Sequence, residues 1–111
     1  MANYILKNNE VILRCNNLAM ETFHEYLSKA AEEEGILDED FILFLERIDQ
    51  EVYGRGNVYA ELKKYLPNEK YQLLLYNLTR KTIDQIKKTG EYSEELIKTF
   101  EDFCDKILNN N

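Results

Sequence analysis

The stretch YQLLLYNLTRKTIDQIKK, residues 71–88, is the longest uninterrupted helical pattern in the chain, and the expected fold depends on it. At 3.6 residues per turn, its apolar side chains fall on one broad stripe. The members of that stripe are Tyr71, Leu74, Leu75, Leu78, Thr82 and Ile86, with Tyr76 and Ile83 on one flank. So wide a stripe needs neighbours on more than one side. Leu73 falls opposite the stripe, among charged residues, and is expected either under another segment or at a partner.

The composition fits one compact helical domain, predicted to span residues 1–111. Hydrophobic residues make up 44% of the chain, which is enough for a core without disulfides or metal ions. One proline and four glycines leave little for the turns of an all-β fold. Cys15 and Cys104 are predicted to be reduced thiols, and no apolar run approaches the roughly 20 residues of a membrane span. We therefore expect a soluble, cytoplasmic protein that contacts no membrane.

Residues 3–15 predict a short β-hairpin that turns at Asn8 and Asn9, because asparagine tolerates the positive φ of a two-residue turn. The predicted cross-strand pairs are Lys7 with Glu10, Leu6 with Val11, and Tyr4 with Leu13. A lone hairpin is only marginally stable. It is therefore expected to lie on helices or to pair with a partner's strand.

Apolar stripes predict four more helices, in residues 17–34, 39–53, 58–66 and 94–108, besides the central helix in residues 69–89. The stripe of the second of these helices consists of Phe41, Phe44, Leu45, Ile48 and Val52. Short connections favour antiparallel neighbours. The predicted fold class is mainly α: a compact, irregular antiparallel bundle of about five helices preceded by a short N-terminal β-hairpin.

Charge is distributed unevenly along the chain. The formal net charge is −7, and residues 1–56 hold 12 acidic and 5 basic side chains, whereas residues 57–111 hold 9 of each. The whole negative excess therefore lies in the first half. Such a surface repels nucleic-acid phosphates and attracts basic protein surfaces.

Two acidic runs stand out in the first half, Glu32-Glu33-Glu34 and Asp38-Glu39-Asp40. They lack the ligand spacing and central glycine of a calcium loop, so no metal site is predicted. The second run begins a predicted helix, where carboxylates interact favourably with the helix dipole. The first run ends a helix, where negative charge is unfavourable. That mismatch indicates that a positively charged partner binds there.

Enzyme motifs are not evident in the sequence. The one histidine, His24, lies at the edge of an apolar stripe and is predicted to be a partly buried packing residue. Ser28, Ser93 and the two cysteines have no neighbouring signature for activation. Residues 54–56 follow a predicted helix and are too short for a phosphate-binding loop. We therefore expect a protein that is not an enzyme and binds no cofactor.

Two partial resemblances to known families suggest alternatives. Residues 11–15, followed by helices that contain residues 30–36 and 41–42, resemble the strand–helix–helix pattern of ribbon-helix-helix regulators. That resemblance implies a dimer whose paired strands read the major groove of DNA. Residues 83–106, two amphipathic helices joined by a short connection, are similar to small helical immunity proteins. That resemblance implies protection of bacteria from a toxin or bacteriocin.

The remaining hypothesis is a protein that acts by contact. Residues outside the predicted core and suited to an interface are Leu43, Leu73, Tyr53, Tyr76 and Tyr92, together with the two acidic runs. The leading hypothesis is an acidic inhibitor of phage or mobile-element type that blocks a basic nucleic-acid-handling enzyme, as an anti-CRISPR protein does. Its partner would be a protein with a basic surface, and it would bind no nucleic acid directly. A homodimer without an enzyme target is a further alternative.

Overall fold

The computed structural model describes residues 2–109. In chain order the elements are β1 (Ala2–Lys7), β2 (Glu10–Asn16), α1 (Asn17–Glu33), α2 (Glu39–Arg47), α3 (Gln50–Tyr53), β3 (Tyr59–Glu61), α4 (Leu62–Tyr65), α5 (Glu69–Thr89) and α6 (Glu94–Ile107). Helices account for 64% of this part of the chain, so the fold is mainly α. The described residues form six helices and one three-stranded sheet.

The N-terminal hairpin has the predicted turn but a partly different register. Asn8 and Asn9 have φ values of 55° and 64°, and β1 pairs antiparallel with β2. Lys7 lies opposite Glu10 and Leu6 opposite Val11, as predicted. The predicted pair of Tyr4 and Leu13 is wrong, because an irregularity between Ile5 and Leu6 places Tyr4 opposite Arg14. This β-bulge allows the consecutive side chains Ile12 and Leu13 both to be buried.

The helix predicted in residues 58–66 is wrong, because most of its first half is a strand. Tyr59–Glu61 forms β3, which pairs in parallel with β1, and only Leu62–Tyr65 is helical. The Tyr4 amide donates to the Val58 carbonyl at 2.9 Å, which begins the pairing. Val58 and Ala60 are buried on either side of exposed Tyr59, which is the alternation of a strand. β1 therefore lies in the centre of the sheet, in the order β2-β1-β3.

The helix predicted in residues 39–53 is also wrong, because it is broken after Arg47. The Asp49 carboxylate accepts a hydrogen bond from the Glu51 amide at 2.9 Å and thereby starts a second short helix, α3. The Gln50 side chain donates to the Asn17 carbonyl at 2.7 Å, which holds α3 against the start of α1. The break turns Val52 to the surface, although the sequence places it on the buried stripe.

The three long helices, α1, α5 and α6, pack side by side. Cys104 on α6 lies near Tyr76 on α5, and Glu101 lies near Lys87, so the two helices run antiparallel. On the other side of α5, Lys81 reaches Glu34 at the end of α1. The short helices α2, α3 and α4 lie outside this trio. The bundle is thus smaller than predicted and is joined to a sheet.

Aromatic side chains from two helices meet in the centre of the core. The Phe23 ring on α1 lies 5.2 Å from the Phe100 ring and 5.4 Å from the Phe103 ring, both on α6. All three side chains are fully buried. α6 also packs on β2, so this cluster joins the helices to the sheet.

A buried lysine links the sheet to the end of α6. Lys7 on β1 is only 3% exposed, and its Nζ donates to the Ile107 carbonyl at 2.6 Å. Burial lowers the pKa of this amino group below its ordinary value. A cation at a helix C-terminus interacts favourably with the helix dipole, which offsets part of the cost of burial.

Asn3 provides a direct test of the β1–β3 pairing. Its buried side chain donates to Asn17 Oδ1 at 3.0 Å and accepts from the Val58 amide at 3.3 Å. We expect Asn3→Ala to lower the free energy of unfolding by about 1–3 kcal/mol in urea denaturation, because buried polar groups lose their partners. The control Asn77→Ala, on the exposed side of α5, should change it by less than about 0.5 kcal/mol. Equal effects of the two substitutions would contradict the pairing.

Candidate functional site

An open polar cleft of about 490 Å³ lies between α1 and the region of α3. One wall comes from successive turns of α1, and the other from the chain just after α2. The cleft is lined by Glu21, His24, Glu25, Ser28, Lys29, Glu32, Asp49, Gln50, Glu51 and Arg55. Five of these ten side chains are carboxylates and two are permanent cations, so the cleft is acidic.

His24 lies in this cleft, beside a serine and a carboxylate. Its Nε2 is 3.3 Å from Ser28 Oγ and 3.8 Å from Asp49 Oδ2. A serine nucleophile relay needs the serine at one ring nitrogen and the carboxylate at the other. Here both groups approach the same nitrogen, which does not form such a relay. His24 is half-buried, as predicted, but its side chain also lines the cleft.

The two cysteines are weakly acidic thiols. Burial raises the pKa of Cys15 to about 12 and that of Cys104 to about 11. Nucleophilic and metal-binding cysteines act as thiolates, which these values disfavour. Within residues 2–109, no group of three or more His, Cys, Asp and Glu side chains is placed to hold a metal ion.

The first acidic run diverges in the structure. Glu32 lines the α1–α3 cleft, Glu33 lines a small groove against α5, and Glu34 binds Lys81 at 2.7 Å. Successive residues of a helix point about 100° apart, so three neighbours cannot form one patch. All three carboxylates are exposed, but only Glu32 belongs to the cleft.

The second acidic run begins α2. Asp38 accepts a hydrogen bond from the Tyr71 hydroxyl at 3.1 Å, and this bond raises the pKa of the Tyr71 phenol. Glu39 and Asp40 follow in the first turn of α2. All three carboxylates are exposed.

The apolar and aromatic candidates lie in two places. Leu43 and Tyr53 are exposed in α2 and α3, whereas Leu73 is exposed on α5. Tyr76 is half-buried on α5, and its hydroxyl oxygen accepts from Arg80 at 3.4 Å. Tyr92 is half-buried in the α5–α6 connection, where its ring packs on Tyr26. Leu43 and Tyr53 therefore belong to the acidic first half of the chain. Leu73, Tyr76 and Tyr92 belong to the second half.

Arg47 was not singled out by its sequence, yet its guanidinium contacts three tyrosine residues. Its guanidinium donates to the Tyr65 hydroxyl at 3.2 Å and to the Tyr59 carbonyl at 2.8 Å, and it lies 4.7 Å from the centre of the Tyr53 ring. The only sequence signal was a basic residue within an acidic stretch. These contacts engage Arg47, which is the single positively charged residue of α2.

The ribbon-helix-helix resemblance concerns β2 and the residues after it. β2 pairs with β1 of the same chain, and Arg14 is its one basic residue. In that family, the corresponding strand pairs with a second copy. None of the helices in residues 2–109 combines the length and apolar composition that a membrane crossing requires. Comparisons with protein-family profiles, curated proteins and solved structures give no match to this chain.

The thiol pKa values can be checked by chemical labelling. At pH 8, we expect a thiolate-specific reagent to label native Cys104 on the order of 100-fold, and native Cys15 on the order of 1000-fold, more slowly than in denaturant. Unfolding returns each pKa to its ordinary value of 9.0, and the thiolate fraction changes tenfold per pKa unit. The Cys15→Ser variant separates the two signals. Rapid labelling of either thiol in the native protein would contradict the burial described above.

Proposed function

We propose that this protein is a non-enzymatic inhibitor that binds a basic surface of a partner protein through the carboxylates of α1, α2 and α3. The observation that supports this proposal is the excess of exposed, unpaired carboxylates in the first half of the chain. An excess of negative charge on one part of a protein surface attracts and orients a basic partner.

Few acids of the first half contact a basic side chain within residues 2–109. Of the 12, Glu21 lies 3.5 Å from Arg55, Glu34 lies 2.7 Å from Lys81, and Asp49 lies 3.8 Å from His24. The other nine form no ion pair within residues 2–109, and all nine are exposed.

The bases of the same half offset this charge only in part. Lys7 is buried at the end of α6, Arg47 is held among tyrosines, and Arg55 pairs with Glu21. Of the five bases, only Arg14 and Lys29 remain outside these contacts. Nine carboxylates and two bases of this half therefore stand outside these contacts, an excess of seven negative charges that equals the sequence count and lies on exposed side chains.

A row of carboxylates follows α1 along the cleft. Glu21, Glu25 and Glu32 are separated by four and seven residues, so they share one side of the helix. Glu25 and Glu32 are about 10 Å apart along the axis at a rise of 1.5 Å per residue. Negative groups held in a row on a rigid helix can occupy a channel that otherwise binds nucleic-acid phosphates. We therefore propose a nucleic-acid-handling enzyme as the target, as for an anti-CRISPR protein of a phage or mobile element.

Inhibition of purified nucleases tests this proposal. The protein is added in molar excess to a panel of purified RNA-guided DNA nucleases, and the rate of plasmid cleavage is measured at increasing salt. We expect at least one nuclease to be inhibited, and the inhibition to weaken as salt screens the carboxylates. Unchanged cleavage across the panel would overturn the proposed target class.

Matched charge variants locate the surface. The triple variant E25Q/E32Q/E51Q should raise the concentration needed for inhibition about tenfold, since three charge pairs of ~0.5 kcal/mol each are lost. The control D84N/E91Q/D105N removes an equal number of negative charges, but from the second half of the chain, and should inhibit like the wild type. Equal losses in both variants would show that net charge acts, and not the proposed surface.

A further inference from the structure

Exposed apolar side chains are concentrated in residues 37–53, which we call the return segment. It contains Leu37, Ile42, Leu43, Val52 and Tyr53, five of the ten large hydrophobic residues that are exposed within residues 2–109. Leu37 is 85% exposed, Ile42 44% and Leu43 51%. Scattered exposed apolar residues are ordinary, but half of them in one short segment are not.

The same segment carries dense negative charge. Its acids are Asp38, Glu39, Asp40, Glu46, Asp49 and Glu51, and its one base is Arg47, which is held among tyrosines. Within the described residues, Glu39, Asp40, Glu46 and Glu51 form no ion pair. Exposed apolar and anionic side chains are therefore interspersed along this segment of the chain.

The solvent side of α2 shows how the two kinds of side chain are arranged. Glu39, Ile42, Leu43 and Glu46 stand at positions i, i+3, i+4 and i+7, which form one stripe of a helix, and all four are exposed. The opposite side buries Phe41 and Phe44. The apolar pair Ile42 and Leu43 thus lies between two carboxylates, Glu39 and Glu46, which are about 10 Å apart along the helix axis.

We propose that this stripe of α2 is a docking site for a basic amphipathic helix of the partner protein. The complementary helix presents two apolar side chains between a Lys or Arg one turn before them and another one turn after them. Spacing of seven residues on both helices allows the apolar pairs to pack while the charges meet. The carboxylates repel nucleic acid and anionic lipid surfaces, which leaves a basic protein segment as the occupant.

Other exposed apolar residues stand just before and after α2 in the chain. α2 has nine residues and alone is too short for a standard interface of about 800 Å² per partner. Leu37 precedes α2, and Val52 and Tyr53 follow it in α3. The inference rests on the proposed function for the sign of the partner's charge, and it adds a specific helix and an apolar contribution.

A peptide titration of the intact protein tests the docking site. The probe is a synthetic amphipathic peptide in which two adjacent leucines lie between arginines placed seven residues apart. We expect it to shift the backbone amide signals of α2 in a nitrogen-labelled sample and to bind saturably. The double variant I42S/L43S should bind about tenfold more weakly. The control L73S, at a position of similar exposure on α5, should bind like the wild type.

Three outcomes would overturn the inference. They are wild-type affinity of I42S/L43S, equal affinity of a peptide whose leucines are replaced by serine, and amide shifts confined to the α1–α3 cleft. Because both side chains are exposed, the double variant should keep its far-ultraviolet circular dichroism. If I42S/L43S inhibits a nuclease like the wild type while E25Q/E32Q/E51Q needs about tenfold more protein, the proposed function stands and the docking site fails.

Discussion

The parallel pairing of β3 with β1 is the constraint on which the rest of the structure depends. β1 has two edges, and the hairpin partner β2 uses only one of them. β3 occupies the other, where the Tyr4 amide meets the Val58 carbonyl at 2.9 Å. The chain leaves the sheet along α1, whose 17 residues carry it about 25 Å away. It must therefore come back along α1 before it can reach β1 again.

The return path explains where the candidate surface lies. The bond from Gln50 to the Asn17 carbonyl shows that α3 has come back to the start of α1. The short helices of the return segment bury only a few side chains, chiefly Phe41, Phe44 and Ile48. Together with Asp38, these helices carry five of the nine first-half carboxylates that form no ion pair within residues 2–109, and all five are exposed. The return segment thus contributes to one wall of the acidic cleft and carries the exposed stripe of α2, and its position follows from the pairing of β3 with β1.

Periodicity predicts the long helices well, because each has a broad apolar stripe and a recognisable end, such as the Asn68 cap and Gly90 of α5. It fails at β3, where a three-residue strand is too short to outweigh the helical pattern around it and only long-range pairing favours it. It also fails at Asp49, whose cap breaks a continuous stripe. For the site, the sequence shows the excess of acidic residues but not which of them lie together in the folded protein. The meeting of His24 with Asp49 depends on the return path and has no local signal.

The most direct test of this account is a nuclear Overhauser spectrum of the intact protein, in which close protons give cross-peaks. We expect cross-peaks between the Tyr4 and Tyr59 rings, whose centres are 6.1 Å apart, and between the backbone protons of the paired residues Ile5 and Ala60. Cross-peaks between residues three apart throughout 58–66, without contacts to β1, would show a helix there. That result would remove the reason for the return path and contradict the account.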